Sequence, residues 1–230
     1  IDSKILKLRL EDKSHKFIQE SFNATKGKNI LYILNSKLVT QYEYLNDLVS
    51  FQSTNSNFLN SKIDYNGKLF IDPFDLILNI VLEDLNLNEW INPNSIFLEL
   101  LKAKLLFNEN ISANISIKTK NNFRNKFFNF GNFIFNIDNG KINFNQSTLI
   151  NNKIGSLKLS NSNLLVQNDD LKFIGNFKFD IKDSDNFYSF ILTPKKSRKP
   201  IKNITMRVED DFIDNKLSIN TFQIDGKEQV

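Results

Sequence analysis

From Leu171 onward apolar and polar residues alternate, with Ile174 the one apolar residue on the polar side. Leu171, Phe173, Gly175, Phe177, Phe179 and Ile181 fall on one side, and Lys172, Ile174, Asn176, Lys178, Asp180 and Lys182 on the other. Successive side chains of a strand point to opposite faces, so a period of two specifies a strand with one greasy and one wet face. At about 3.3 Å per residue the stretch spans about 36 Å, long for a globular strand.

The alternation recurs at Ile111, Ala113, Ile115 and Ile117, at Phe133, Phe135 and Ile137, at Ile142 and Phe144, at Leu157 and Leu159, and at Ile204, Met206 and Val208. Leu217 and Ile219 continue it, with Phe222 and Ile224 out of phase, which predicts a bulge between them. Toward the N-terminus Leu6, Leu8 and Leu10 alternate with basic and acidic residues, and Ile63, Tyr65, Leu69 and Ile71 do so around Gly67. Asn66-Gly67, Asn139-Gly140 and Asp225-Gly226 carry the chemistry of two-residue hairpin turns, whose central residues both need φ > 0. The text around Asn66-Gly67 resembles that around Asn139-Gly140, a loose repetition of β units. The expected fold is mostly β: about ten to thirteen strands in one long antiparallel meander.

Two short helices are expected to interrupt it. Pro93-Asn94-Ser95 supplies a stop and a cap, after which Phe97, Leu101 and Leu105 repeat at helical spacing beside Leu98. A weaker pattern runs from Ser14 to Thr25, with Ile18 and Phe22 on one side and Gly27 closing it. No linker rich in Pro, Gly or Ser divides the chain, so residues 1–230 read as a single β-rich segment. The start at Ile1, without a methionine or a signal-like stretch, is expected of an excerpt from a longer polypeptide.

Composition removes most chemistry. The chain has one histidine and no cysteine, which leaves no thiolate or multi-histidine metal site and no Ser-His or Cys-His pair that does not use His15. His15, in a charged stretch, reads as a solvated surface residue. Asp180, Asp183, Asp185 and Asn186 superficially resemble a calcium loop but lack its turn glycine and terminal glutamate, so a hairpin corner is expected. Asp169-Asp170 and Glu209-Asp210-Asp211 fall where turns between strands are expected, and adjacent residues on a strand face opposite ways, which argues against paired-carboxylate catalysis. No cofactor, metal or enzymatic activity is expected. A net charge of +4 is far short of a nucleic-acid signature. The one dense basic run, Lys195, Lys196, Arg198 and Lys199 between Pro194 and Pro200, reads as a solvated loop with a possible role against anionic headgroups. The 35 asparagines fit an A/T-rich coding bias acting on the polar face of a folded protein. The longest apolar stretch, Phe97 to Phe107, is broken by Glu99, Lys102 and Lys104, so no segment approaches the roughly 18 to 20 apolar residues of a spanning helix.

What remains is the apolar face. An ordinary sandwich or barrel core accounts for it. So does a sheet curled into an elongated open groove, with that face left for a lipid; long strands, many phenylalanines and little helix lean toward the groove.

The stretch from about Leu85 to Gly226 resembles the AsmA-like family of bacterial envelope proteins. The likeness lies in the apolar-basic pattern from Leu98 to Leu106, the strand Asn110 to Ile117, Phe133 to Ile137, Asn139-Gly140-Lys141-Ile142, Ile154 to Leu159, and Leu171 to Asp180 with its central Gly175. Residues 1–84 share only the β character. The resemblance implies a periplasmic body anchored to the inner membrane by a segment outside this chain. Its relatives form a taco-like groove proposed to carry phospholipid toward the outer membrane. On that footing the lining would be Phe133, Phe135, Ile137, Ile142, Phe144, Leu157, Leu159, Leu171, Phe173, Phe177, Phe179 and Ile181. Gly175 would relieve crowding. About twelve strands at about 4.8 Å spacing would make a section of about 60 Å. The competing expectation is a structural or adhesive β-rich surface module whose phenylalanines pack protein against protein in a closed core.

Overall fold

The computed structural model describes residues 2–3, 8–19, 22–33, 35–58, 61–83, 101, 103–119, 128–168, 170–211 and 216–229. Among them seventeen strands form one sheet. Its first part runs β1 (Asp2–Ser3), β2 (Leu8–Gln19), β3 (Phe22–Ile33) and β4 (Ser36–Leu45). A position shared by β5 (Leu48–Ser53) and β6 (Ser56–Phe58) follows, then β7 (Ser61–Phe70) and β8 (Asp75–Leu82). The second part runs β9 (Ser112–Thr119) and β10 (Phe130–Asp138), then a position shared by β11 (Lys141–Asn143) and β12 (Thr148–Asn151). β13 (Gly155–Gln167), β14 (Asp170–Ile181), β15 (Asn203–Asp211), β16 (Lys216–Ile224) and β17 (Lys227–Glu228) complete it.

The mostly-β meander is therefore present, with one exception to its antiparallel order. β8 and β9 run parallel, from Asp75 beside Ser112 to Leu82 beside Thr119. A parallel pair needs a crossover of roughly a dozen or more residues, and the chain between Leu82 and Ser112 is long enough to supply one. Within it Leu101 is helical and buried, and a 3-10 turn spans Leu105–Phe107. Most of the helix expected after Pro93 lies outside the described residues.

The helix expected from Ser14 to Thr25 is not formed. β2 and β3 pair continuously from Leu8 beside Ile33 to Gln19 beside Phe22. Spacing of four apolar positions also fits a hairpin, and the ladder to β4 on the far side of β3 gives these backbone groups partners that an isolated amphipathic turn lacks.

Of the three expected hairpin turns two are present. Asn139-Gly140 and Asp225-Gly226 adopt positive φ at both residues and close β10–β11 and β16–β17. Asn66-Gly67 instead lies inside β7, where Gly67 pairs with Phe51 on one side and Leu78 on the other. A Cβ on Gly67 would collide with the Ile77 carbonyl and the Phe51 ring; this glycine serves close packing rather than a turn. A third two-residue turn of the same kind is made by Asn46-Asp47, without any glycine.

A structural repetition exists, in different segments from the ones whose text is alike. In each part of the sheet a long strand (β4, β10) pairs with two short ones lying end to end, and both of these pair with the next long strand (β7, β13). A serine at the break does the same work in both. The Ser56 hydroxyl accepts from Val39 N at 2.9 Å and donates to Val39 O at 3.2 Å. The Ser147 hydroxyl accepts from Ile134 N at 2.9 Å and donates to Ile134 O at 3.1 Å. Both serines are buried, so each offsets ladder bonds that the interrupted strand cannot make.

One face of the sheet is wet. Lys158 and Lys178 approach the Asp180 carboxylate at 3.1 and 3.2 Å, Lys26 meets Glu43 at 3.3 Å, and amides bridge neighbouring strands at Asn143–Asn163 and Asn66–Asn79. Burial works against the Asp180 charge, but the two ammonium groups outweigh it and hold its pKa below the usual value. Each such exposed pair is worth about 0–1 kcal/mol; collectively they occupy the asparagine- and lysine-rich side of the alternation.

Between β14 and β15 the chain forms α1 (Ser184–Phe190), capped by the Asp183 carboxylate accepting from Asn186 N at 2.9 Å. The acidic stretch read as a hairpin corner is thus a helix start. Buried Phe187 packs with Phe179, Ile154 and Ile201.

A candidate apolar binding face

Directly paired residues share a face, so the registers trace the second face strand by strand. Tyr65 and Leu69 of β7 meet Ile80 and Leu76 of β8, which meet Ile117 and Ala113 of β9. Ile117, Ile115 and Ala113 meet Phe133, Phe135 and Ile137, and Ile137 meets Ile142, which meets Leu164. Leu157, Leu159, Leu164 and Val166 then face Phe179, Phe177, Phe173 and Leu171, and Phe179, Phe177 and Gly175 face Ile204, Met206 and Val208.

This continuity depends on two bulges. Leu157 and Leu159 are odd-numbered on β13 whereas Leu164 and Val166 are even, and a register shift between Ser160 and Asn163, with Asn161 at φ 47°, returns both pairs to the same face. The expected bulge in β16 likewise brings Ile219 and Leu217 into line with Phe222 and Ile224. Without either one, half a strand would turn its apolar side outward.

Five of the expected lining residues form a chain of ring contacts across this face. Phe133 stacks on Phe135 at 6.3 Å, Phe135 meets Phe144 edge-on at 5.2 Å, Phe144 meets Phe173 at 6.0 Å, and Phe173 meets Phe177 at 5.8 Å. All five are half-buried, as are Leu157, Leu159 and Ile181. The other expected residues are placed differently. Ile137, Ile142 and Leu171 are buried in a cluster with Leu101, against which Leu106 and Phe107, and also Phe135, Phe144 and Phe173 of the ring chain, pack. Phe179 lies in the cluster around Phe187, outside the chain of ring contacts.

Toward β2 the same face becomes polar. Asp12, Thr25, Thr40, Tyr42 and Tyr44 line a shallow cleft of about 550 Å³ with Val49, Phe51 and Ile71. The Tyr42 hydroxyl donates to Asp12 at 3.1 Å, and burial followed by this carboxylate raises the Tyr42 pKa. Thr40 and Tyr65 share a 2.6 Å hydroxyl contact.

Of the basic run, Lys195, Lys196 and Lys199 are exposed. Arg198 turns inward: its Nε donates to Thr193 O at 3.0 Å and one terminal nitrogen to Ser189 Oγ at 3.0 Å, with the Asp185 carboxylate at 3.9 Å. It fastens the loop and is not presented to solvent as the lysines are.

Sequence reasoning left β8 out of the face. Leu76, Leu78, Ile80 and Leu82 belong to it, but Ile77 and Val81 between them are also apolar, so the run shows no clean alternation. The Tyr42–Asp12 end was missed because its residues are polar. Among the described residues no helix is long and apolar enough to cross a membrane, and no group of three or more histidine or acidic side chains is placed to hold a metal ion. Comparison with protein-family models, with curated proteins and with solved structures finds no match to this chain.

Proposed function

We propose that this chain is a non-enzymatic section of a lipid-transfer conduit of the AsmA-like kind, in which acyl chains lie along the apolar face of a curled sheet in the bacterial periplasm. The observation that carries the reading is the apolar face that the registers continue from β7 to β16, whose central phenylalanines are only partly buried. A closed core of this size would bury them, since interiors pack without gaps. A curled sheet is supported by Phe128, which packs both against the cluster of Ile63, Leu82 and Ile117 and against that of Ile154, Phe179 and Phe187. Each acyl methylene buried is worth about 0.8 kcal/mol, so a chain is retained without polar recognition, and a track without a deep polar pocket lets it slide.

The structural-module reading draws on the cover that Leu101 makes over Ile137, Ile142 and Leu171 and on the packing of Phe133, Phe135, Phe144 and Phe173 against buried clusters. Native mass spectrometry of the purified protein, followed by organic extraction, separates the two. Phospholipid carried through purification and lost in Phe177→Asp is the expected result. A lipid-free, cooperatively melting protein would favour the closed module.

A further inference from the structure

We infer that the loop after α1 is a docking tip for an anionic lipid bilayer. It displays Phe190, Ile191 and Leu192 at 41%, 48% and 86% exposure. Leu192 occupies the left-handed region at φ 59° immediately after the helix, the place where helices most often put glycine. Its amide donates to Ser189 O at 3.3 Å, the next donates to Tyr188 O at 2.9 Å, and Arg198 ties Thr193 to Ser189. A large apolar side chain is therefore held outward by a well-bonded turn.

The charge around it is complementary to anionic headgroups. Lys195, Lys196 and Lys199 follow within the same loop and are exposed, and a cleft of about 570 Å³ beside the tip is lined by Ser184, Asp185, Tyr188, Lys195, Arg198 and Lys199. The single acidic group there, Asp185, faces Arg198, leaving the lysines for phosphate. A convex tip of three apolar residues is much smaller than the roughly 800 Å² per partner that stable protein interfaces use, whereas a few apolar side chains with a basic belt suffice for interfacial membrane binding. The inference stands apart from the groove: docking requires no acyl chain on the phenylalanine track.

The test is vesicle flotation of the 230-residue protein with phosphatidylcholine alone and with an equimolar mixture of phosphatidylcholine and phosphatidylglycerol. Binding to the mixed vesicles only is expected. It should be lost in Ile191→Ser/Leu192→Asp, and should fall by at least about fivefold for each lysine reversed in Lys195→Glu/Lys196→Glu/Lys199→Glu. The charge-matched control Lys68→Glu/Lys141→Glu/Lys153→Glu should retain most of the binding, and melting curves check that each variant is folded. Because the chain has no cysteine, Leu192→Cys carrying an environment-sensitive fluorophore reports insertion directly, with a blue shift expected on mixed vesicles. Absent flotation, equal loss in the control, or an unshifted fluorophore would overturn the inference. Phe177→Asp should float like the parent, so failure of the groove and failure of the tip are read separately.

Discussion

Gly175 lies directly against Ser162: a Cβ built on the glycine would stand 3.0 Å from the Ser162 Cβ and 2.8 Å from the Cζ of Phe173. Ser162 is fully buried at the β13 bulge, where its amide and hydroxyl both donate to the Asn145 side-chain oxygen. Any side chain at position 175 would therefore crowd the bulge that keeps β13 in phase, and Ser162 or the Phe173 ring would have to shift. Gly175→Ala should lower stability by about 1–3 kcal/mol, as overpacking does. Gly67→Ala should cost at least as much, because it meets a backbone carbonyl as well as a ring. Gly226, with nothing within 4 Å but φ at 75°, should lose only about 1 kcal/mol on substitution by alanine. Urea midpoints of the three variants test the ranking; an equal cost at all three would remove the packing argument.

Leu171 and Phe177 lie on the same face of β14, one at 1% exposure and the other half-buried. Leu171→Ala should cost about 2–5 kcal/mol. Phe177→Ala should cost less, about 1–3 kcal/mol, because its side chain is only partly buried. A loss of 3–5 kcal/mol at Phe177, the range roughly expected of a sealed aromatic core, would count against the open face.

Strand content was legible because period two survives wherever one face is wet, as in β14. It fails in β8, where Ile77 and Val81 make both faces apolar, and at Ser14–Thr25, where spacing of four fits a hairpin and a helix alike. The Asn-Gly signal was correct at Asn139-Gly140 and misleading at Asn66-Gly67, since only the tertiary neighbours of Gly67, the Ile77 carbonyl and the Phe51 ring, determine that it serves packing. The candidate lining was half legible for a related reason. Alternation places Phe144, Phe173, Phe177 and Phe179 on a face, but Phe187 of α1 buries Phe179. Asp183, read as part of a hairpin corner, instead caps α1, because a single carboxylate before a short helix leaves no periodic pattern in the text.

Arg198 fastens the exposed loop through Thr193, Ser189 and Asp185. A lysine cannot reproduce its fork of donors, so Arg198→Lys and Arg198→Ala should both loosen residues 191–198. Amide hydrogen exchange there should speed by roughly tenfold while β13 and β14 keep their protection, because local opening need not involve the sheet. Unchanged loop exchange would show that the helix-end backbone bonds hold the turn alone.

Asp210 is a carboxylate on the apolar face, paired across strands with Phe173 and Leu217. Burial, and secondarily the neighbouring Asp211, push its pKa up; Asp211 itself faces Lys172 at 3.6 Å on the other side of the sheet. With the folded-state pKa above the unfolded value, the unfolded chain releases this proton first as pH rises. Stability contributed by the neutral form is therefore present in acid and lost as pH climbs through the folded-state pKa. Asp210→Asn should accordingly raise the melting temperature at neutral pH and leave it nearly unchanged below the carboxylate range. Denaturation of both proteins across that window reads the sign. Destabilisation by the asparagine at neutral pH would mean that the Asp210 charge is favourably engaged in the fold and that the apolar face tolerates a carboxylate at the edge of the phenylalanine track.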